Sequence, residues 1–196
     1  VYQYLCYEYE QAKDSVNLEK TLKEGMERFP EEPYYLLSLI NNYIYSNRND
    51  EAINYLNQAI AKDQNNAQLY DVMGRVYETG LKDYAKAEEY FQKALSIAEA
   101  LGEEGKDVAE NCKNAIPSTI LSIGKELYNN KDFAGAKARF EEAAKVATEY
   151  GNTEVSDEVA ELLPTVSKRI ALAKVNDAMK AKDINGVIAA YEEAVA

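Results

Sequence analysis

The sequence predicts an all-α protein built from about five successive helix-turn-helix units. Apolar residues recur at intervals of three and four, proline is scarce, and one phrase with fixed internal spacing occurs three times. In this phrase an aspartate precedes a bulky apolar residue, a small residue, an aromatic residue and an alanine. Such repetition is typical of one supersecondary unit used several times. The copies are Asp83-Tyr84…Ala87…Phe91…Ala94, Asp132-Phe133…Ala136…Phe140…Ala143 and Asp183-Ile184…Val187…Tyr191…Ala194, with a looser copy at Asn49…Ala52…Leu56…Ala59.

A second pattern precedes the phrase and predicts the first helix of each unit. Its apolar residues fall on one face of a helix. Gly74 and Gly124 occupy the same place in it, and glycine inside a helix costs about 1 kcal/mol relative to alanine. We therefore expect close helix packing there, with Ala87 or Ala136 opposite the glycine. The four sets are Tyr2…Leu5-Cys6…Tyr9, Leu36…Leu39-Ile40…Tyr43, Tyr70…Met73-Gly74…Tyr77 and Ile120…Ile123-Gly124…Leu127.

The aspartate of the phrase lies in the predicted turn between the two helices. A short carboxylate at this place can accept hydrogen bonds from the free N–H groups at the start of the second helix. Asp83, Asp132 and Asp183 are therefore interpreted as helix caps rather than catalytic residues.

The units are predicted to span residues 1–32, 33–66, 67–101, 102–150 and 151–196. The small residue of the phrase recurs after 35 residues, then after 49 and 51, so the later units contain insertions. The segment 96–102 is expected to extend a second helix and to stop at Gly102. Residues 106–129 and 155–179 are predicted as long first helices, in which Pro117 and Pro164 allow either a kink or a continuous helix.

These patterns resemble the tetratricopeptide repeat, a helix-turn-helix unit of about 34 residues. The strongest match is Tyr70-x2-Met73-Gly74-x2-Tyr77 followed by Ala87-x3-Phe91, and Pro30 falls where the family has a proline. The resemblance covers nearly the whole chain. It implies a right-handed α-α superhelix, with all five units in a single superhelical domain, and a role in protein–protein interaction.

Composition restricts the chemistry. The chain has no histidine, which excludes nucleophile systems that depend on an imidazole, and the commonest zinc sites also use this residue. Its net charge of −12 disfavours nucleic acid and anionic membrane surfaces as partners. Cys6 and Cys112 are expected to be buried single thiols. We expect no catalytic residues, cofactor or metal.

Acidic pairs and tyrosines have structural interpretations. The pairs Glu88-Glu89, Glu141-Glu142 and Glu192-Glu193 recur at corresponding places on second helices and are expected to be solvated helix surface. Of the 16 tyrosines, seven fall on packing positions and are predicted to be core residues. These are Tyr2, Tyr9, Tyr43, Tyr70, Tyr77, Tyr84 and Tyr191.

The resemblance also implies where a partner binds. In this family the first helices line a concave groove that usually holds an extended peptide or a partner helix. Groove residues come from the face of each first helix that does not pack. By that spacing the partner-binding residues are Tyr34, Leu37, Asn41, Tyr45, Asp71, Arg75, Glu78, Leu121, Lys125 and Tyr128. Arg75 and Lys125 would allow an acidic or mixed-charge ligand.

The predicted function is therefore a noncatalytic module that binds a protein or peptide in the groove. The alternative is an assembly scaffold, which self-associates or packs against other domains. Its contacts would lie on the 106–129 helix or its successor. No segment approaches the roughly 18 apolar residues of a membrane span, so we expect a soluble protein without membrane insertion. The chain starts with Val1 and stops just after Ala194, and we expect a piece of a longer protein.

Overall fold

The structure, a computed structural model, describes the backbone of residues 1–195 and the side chains of residues 1–192. All regular structure in this described part is helical, which confirms the predicted all-α class. A π-helical segment, Val76–Leu81, continues the fifth helix, and a 3-10 turn, Gly102–Gly105, precedes the seventh. The α-helices are α1 (Tyr2–Gln11), α2 (Ser15–Arg28), α3 (Pro33–Tyr45), α4 (Asn49–Lys62), α5 (Ala67–Arg75), α6 (Tyr84–Ala100), α7 (Lys106–Asn129), α8 (Phe133–Tyr150), α9 (Thr153–Lys180) and α10 (Ile184–Val195).

The chain divides into two compact units, Val1–Ala109 and Glu110–Ala196. In the first unit each helix packs against the next, from α1 to α6. Its core includes Leu22, Leu39, Tyr43, Leu56 and Met73. In the second unit α8 packs against α9, and α9 packs against α10. The prediction that all five repeats form a single domain stays a prediction.

A single aspartate both ends one helix and begins the next. In the turn before α8, Lys131 has a φ of +66°, and the N–H of Asp132 donates to the carbonyl of Leu127 at 2.9 Å, which closes α7. The Asp132 carboxylate then accepts from the N–H of Gly135 at 2.9 Å and caps α8. The capping role predicted for Asp83, Asp132 and Asp183 is confirmed, and Asp14 has the same role.

The helical glycines make room for the aromatic ring of the repeated phrase. A Cβ at Gly74 would lie 2.7 Å from the Phe91 ring, and one at Gly124 would lie 2.6 Å from the Phe140 ring. The close approach expected at these glycines is confirmed. The nearest groups are these phenyl rings, however, and not Ala87 or Ala136, because the ring side chain reaches across from the second helix.

The third repeat accommodates an extra residue as a π-helical segment. Ala52 and Ala87 are 35 residues apart, against a usual repeat of about 34. The N–H of Asp83 donates to the carbonyl of Tyr77, six residues earlier, whereas Asp132 donates to a carbonyl five residues earlier. Asn49 Nδ2 of α4 donates to the Gly80 carbonyl at 3.1 Å and holds the widened turn. The insertion therefore changes the end of the first helix and leaves the aspartate cap intact.

The later repeats have longer helices. Both long first helices are confirmed as α7 and α9, and each continues through its proline, Pro117 or Pro164. The second helix α6 extends to Ala100, and Gly102 follows with a φ of +62°, which confirms the predicted stop.

The last copy of the phrase packs differently from the others. Tyr191 is 59% exposed, whereas Phe91 and Phe140 at the corresponding place are buried. The prediction that Tyr191 is a core residue is therefore wrong. Val175 lies eight residues before Asp183, at the place where Gly124 precedes Asp132, so the last repeat has a side chain where the fourth repeat has none. Ala194 lies outside the described side chains.

The other packing predictions are confirmed in part. Tyr43 and Tyr70 are buried, and Tyr2, Tyr9, Tyr77 and Tyr84 are half-buried. Cys6 and Cys112 are free, buried thiols. Glu89, Glu141, Glu142 and Glu192 are exposed, and Glu193 lies outside the described side chains. Glu88 is buried, however, and accepts a hydrogen bond from Gln92 Nε2 at 3.1 Å, so its assignment to solvated surface is wrong.

Candidate functional site

A cleft of about 540 Å³ lies in the first unit between α1, the start of α2 and α3. Three of the predicted partner-binding residues, Tyr34, Asn41 and Tyr45, line this cleft together. The remaining lining residues are Tyr9, Glu10, Lys13, Ser15, Leu18, Ser38 and Asn42.

The spacing of residues on α3 explains this arrangement. Tyr34, Ser38, Asn41 and Tyr45 follow one another at intervals of four, three and four residues, so they form one stripe along the helix. Leu39, Ile40 and Tyr43 lie on the other side and are fully buried in the core. The core therefore fixes the helix rotation that presents the stripe to the cleft.

The cleft combines fixed and freely exposed groups. The Tyr34 ring is half-buried and packs edge-on against Tyr35, with centroids 5.3 Å apart. Burial raises the pKa of Tyr34, and a hydrogen bond with Ser38 opposes that shift in part. Its hydroxyl is therefore neutral at physiological pH. Tyr45 is 89% exposed, and Asn41 is exposed beside it.

A partly buried ionic network holds α3 against α2. Glu19 of α2 accepts hydrogen bonds from the Tyr43 hydroxyl at 3.0 Å and from Lys23 Nζ at 2.6 Å, and it pairs with Arg48 beyond the end of α3. Burial alone would raise the pKa of Glu19, but hydrogen bonds from Lys23, Arg48 and Tyr43 lower it to about 2. Asn42 Nδ2 also donates to the Ser15 carbonyl at 3.3 Å. The C-terminal end of α3 is therefore attached to the first half of α2.

The other predicted residues of the first unit have different surroundings. Leu37 lines a separate cavity of about 490 Å³ with Met26, Phe29 and Tyr55. Asp71 is only 4% exposed, and its carboxylate accepts a hydrogen bond from Arg75 Nε at 3.1 Å. Burial raises the pKa of Asp71, against the lowering effect of Arg75.

Asp71 is therefore a buried residue that pairs with Arg75, which corrects its prediction as a groove surface residue. The prediction failed because the Asp71 side chain lies against neighbouring structure that the periodicity of α5 alone does not reveal. Arg75 is exposed, and Glu78 is half-buried in the π-helical segment.

In the second unit, Leu121 is 3% exposed, so it is a packing residue and its prediction as a groove surface residue is corrected. Lys125 is half-exposed, and its Nζ lies 2.6 Å from Glu158 Oε1 of α9. The Tyr128 ring packs edge-on against Phe133, with centroids 5.3 Å apart. Since Lys125 and Arg75 both have carboxylate partners, neither offers an uncompensated charge to an acidic ligand.

Sequence reasoning missed seven of the ten residues that line the cleft. They are Tyr9, Glu10, Lys13, Ser15, Leu18, Ser38 and Asn42. The spacing that selected Tyr34 and Asn41 also selects Ser38, so this residue could have been found. Tyr9 was assigned to the core. It is half-buried, and it also lines the cleft. Glu10 and Lys13 follow only from the tertiary packing of α1.

A repeated helix pair whose second helix is capped by a turn aspartate, with an aromatic ring packed on a glycine, defines a class of helical repeat protein. Residues 67–101 match the tetratricopeptide repeat family. This match and the all-helical fold support a tetratricopeptide repeat protein, with residues 67–101 as the matched repeat. Proteins with these repeats serve in general as protein–protein interaction modules and bind protein partners.

Solved structures with a similar fold include PilW, a type IV pilus biogenesis factor, at 14% identity and a TM-score of 0.50, covering 96% of this chain and 88% of PilW. MamA has 15% identity and a TM-score of 0.47, covering 98% and 89% of the two chains. PilF of Pseudomonas aeruginosa has 16% identity and a TM-score of 0.48, covering 96% and 86%. The likeness to PilW concerns the fold alone. No curated protein sequence matches this chain.

Two further observations concern the described residues only. None of their helices combines the length and apolar character needed to cross a membrane. Within the same part of the chain, no three His, Cys, Asp or Glu side chains are grouped so that they could hold a metal ion.

Proposed function

We propose that this chain is a noncatalytic module that binds an extended peptide segment of a partner protein in the cleft between α1 and α3. The observation that carries this proposal is the convergence of Tyr34, Asn41 and Tyr45 on one cavity of about 540 Å³. Tyrosines supply contact area at low entropic cost, and they are enriched at protein interfaces.

The cleft chemistry suits a segment without strong charge. Asn41 offers both an amide donor and a carbonyl acceptor, which together match the backbone of an extended peptide. The tyrosine rings provide an apolar surface for one aromatic or aliphatic side chain of the ligand. Glu10 and Lys13 contribute opposite charges at the rim, so the cleft has no net preference for an acidic or basic ligand.

A displayed random-peptide library, selected against the wild-type chain, tests this proposal. Selected peptides are synthesised and their dissociation constants measured by calorimetry. We expect Tyr45→Ala and Asn41→Ala each to weaken binding about 10-fold or more, because both side chains lie exposed in the cleft.

The matched controls are Tyr4→Ala and Asn57→Ala, which remove an exposed tyrosine of α1 and an exposed asparagine of α4 outside the cleft lining. These controls should bind as the wild type does. Leu37→Ala distinguishes the two cavities of the first unit. A loss of binding in Leu37→Ala, with none in Tyr45→Ala and Asn41→Ala, would place the ligand elsewhere and refute the proposal.

A further inference from the structure

The second cavity of the first unit lies where two successive repeats meet. It has a volume of about 490 Å³ and is lined by the turn that joins α2 to α3 and by the turn that joins α4 to α5. Its described lining residues differ entirely from those of the cleft between α1 and α3. The large apolar side chains of the lining are Met26, Phe29, Leu36, Leu37, Tyr55 and Leu69.

The apolar lining is held in place by packing. The Phe29 ring is 47% exposed, yet it stacks on Tyr35 with the ring centroids 5.9 Å apart. Tyr35 is itself buried against Gly25, since a Cβ on that glycine would collide with the Tyr35 ring. Leu69 is only 7% exposed. A cavity with such fixed walls loses little side-chain freedom when a ligand enters, so it suits one or two large apolar side chains.

Two carboxylates stand on a restricted turn at this cavity. The turn before α3 reads Pro30-Glu31-Glu32-Pro33, and each proline fixes its own φ and restricts the residue before it. The Glu32 N–H donates to the Phe29 carbonyl at 3.0 Å. Glu32 precedes α3, but its carboxylate makes no capping hydrogen bond to the described N–H groups of that helix. Both glutamates are exposed, so their carboxylates are accessible to a ligand.

The charged lining of the cavity is mainly acidic. Glu31, Glu32 and Asp63 supply three carboxylates, and Lys62 supplies the one ammonium group among the described lining residues. Lys62 lies in the last turn of α4, where a cation interacts with the free carbonyl groups of the helix end. The cavity therefore favours a ligand with positive charge beside its apolar part.

Two cations of α2 lie close in sequence but have other contacts. The Arg28 guanidinium lies over the Tyr2 ring, 5.4 Å from its centroid. Lys23 Nζ donates to Glu19 at 2.6 Å. Neither side chain belongs to the lining of the cavity, so these cations do not neutralise its carboxylates.

We infer that this cavity binds a basic, apolar segment of a partner protein, in which one or two large apolar side chains are flanked by lysine or arginine. The apolar side chains enter the cavity, and the flanking cations pair with Glu31 and Glu32. Charge complementarity of this kind selects the partner and speeds association. The inference goes beyond the proposed function, because the cleft suits a segment without strong charge.

The probe is the capped peptide acetyl-Lys-Lys-Trp-Leu-Lys-Lys-amide. The chain has no tryptophan, so tryptophan emission reports on the peptide alone. Titration with the chain from about 5 µM to about 1 mM should shift this emission to shorter wavelength and reach saturation. The charge-reversed peptide acetyl-Glu-Glu-Trp-Leu-Glu-Glu-amide should bind about 10-fold more weakly or worse.

Two variants test the charged and the apolar parts of the cavity. The double variant Glu31→Gln/Glu32→Gln should weaken binding of the lysine peptide about 10-fold, because it removes the carboxylates that pair with the flanking lysines. Leu37→Ala should weaken binding about 5-fold, because Leu37 is a half-buried part of the apolar lining. Circular dichroism verifies the folding of each variant.

The matched control for charge is Glu103→Gln/Glu104→Gln, which changes an adjacent exposed pair in the 3-10 turn, outside the cavity lining. It should bind the lysine peptide as the wild type does. The two double variants have the same net charge, so a difference between them cannot come from general attraction of a basic peptide to an acidic chain. Tyr45→Ala should also bind normally, which separates the cavity from the cleft.

A titration that does not saturate would overturn the inference, as would equal binding of the two peptides. Equal effects of the two double variants would show general charge attraction only, and unchanged binding in Leu37→Ala would show that no side chain enters the cavity. A loss of binding in Tyr45→Ala would place the peptide in the cleft. Each of these results would refute binding at the cavity.

Discussion

Glu19 connects the first two repeats through three partners. Its carboxylate contacts Lys23 on its own helix, Tyr43 on the next helix and Arg48 in the following turn. Arg48 also donates to Glu51 at 2.8 Å and lies 4.6 Å from the centroid of the Tyr43 ring. Removal of one member of such a network leaves the others without compensation, which costs more than the loss of a surface ion pair.

We expect Glu19→Gln to lower the free energy of unfolding by about 1–3 kcal/mol at pH 7, because Lys23 and Arg48 lose their common anion. Urea unfolding followed by circular dichroism measures the change. Glu27→Gln, an exposed residue on the same helix, is the control and should change stability by less than about 0.5 kcal/mol. Equal effects of the two substitutions would contradict the stabilising role of the network.

The effect of Glu19 should depend on pH. Its pKa in the folded chain is about 2, below its ordinary value of 4.5, so the folded state favours the ionised carboxylate. Its contribution is therefore complete above pH 4.5 and is lost as pH falls toward 2. The stability difference between wild type and Glu19→Gln should shrink from pH 5 to pH 2. A difference that stays constant over this range would contradict the lowered pKa.

Gly124→Ala should destabilise the chain although alanine is the better helix former. The new Cβ would lie 2.6 Å from the Phe140 ring, and overpacking of this kind costs about 1–3 kcal/mol. The gain in helix propensity offsets only about 1 kcal/mol. Thermal and urea unfolding measure the net loss. The substitution should cost less in a Phe140→Leu background, and an equal cost there would show that the ring is not the source of the strain.

Residue roles were predictable from sequence where they depend on local spacing. The aspartate caps and the helical glycines follow from positions inside one helix pair, so Asp132 and Gly124 could be assigned. Asp71 and Leu121 could not, because the periodicity of one helix does not show which of its outer side chains a neighbouring element covers. Tyr191 was misassigned because Val175 replaces the glycine on which its ring would pack.

At the scale of the helix pair, five turns in the described part of the chain each contain one non-glycine residue in the left-handed conformation. These residues are Lys13, Asn47, Lys82, Lys131 and Lys182, with φ between 55° and 66°. A residue with a Cβ is strained in this conformation, by roughly 1 kcal/mol, whereas glycine is not. The four turns with a lysine at the left-handed position are therefore less stable than the same turns would be with glycine there.

Lys131→Gly should therefore raise the free energy of unfolding by about 0.5–1 kcal/mol, since glycine adopts the closing conformation of α7 without strain. Lys145→Gly, an exposed change inside α8, is the matched control and should lower stability by about 1 kcal/mol. Chemical denaturation of both variants measures these opposite signs. A loss of stability in Lys131→Gly would contradict the strain argument.

The helix boundaries were largely predictable, because caps, glycines and periodicity mark them in the sequence. The long helices α7 and α9 were predicted within two residues of their observed ends. The π-helical segment was not predicted. Its one extra residue was visible in the spacing, but spacing alone does not show whether a turn, a bulge or a longer helix takes it up.

For the whole molecule, the net charge of −12 has a measurable consequence. Like charges repel more strongly in the compact state than in the unfolded chain, and salt screens this repulsion. Raising NaCl from about 20 mM to about 500 mM at pH 7 should increase Tm by roughly 2–5 °C. The same addition at the pH of zero net charge is the control and should leave Tm nearly unchanged. A decrease at pH 7 would show that specific ion pairs outweigh net repulsion.

The candidate site could be predicted only in part. The stripe of α3 follows from sequence, and Tyr34, Asn41 and Tyr45 were found by it. The opposite wall of the cleft follows from how α1 packs, and the sequence of the first repeat does not reveal this packing. Lys125 and Arg75 were chosen for their charge, but their partners Glu158 and Asp71 are apparent only in three dimensions.

The aspartate that ends one helix and begins the next also has a consequence for how such a chain tolerates insertions. An added residue between Lys131 and Asp132 would break the closing bond of α7 and misplace the cap of α8 together. Extra length is accepted inside the helices instead: α7 and α9 are the longest, and the π-helical segment Val76–Leu81 takes up one residue before Asp83. The aspartate turn therefore stays constant, and the repeats differ in the lengths of the helices before and after it.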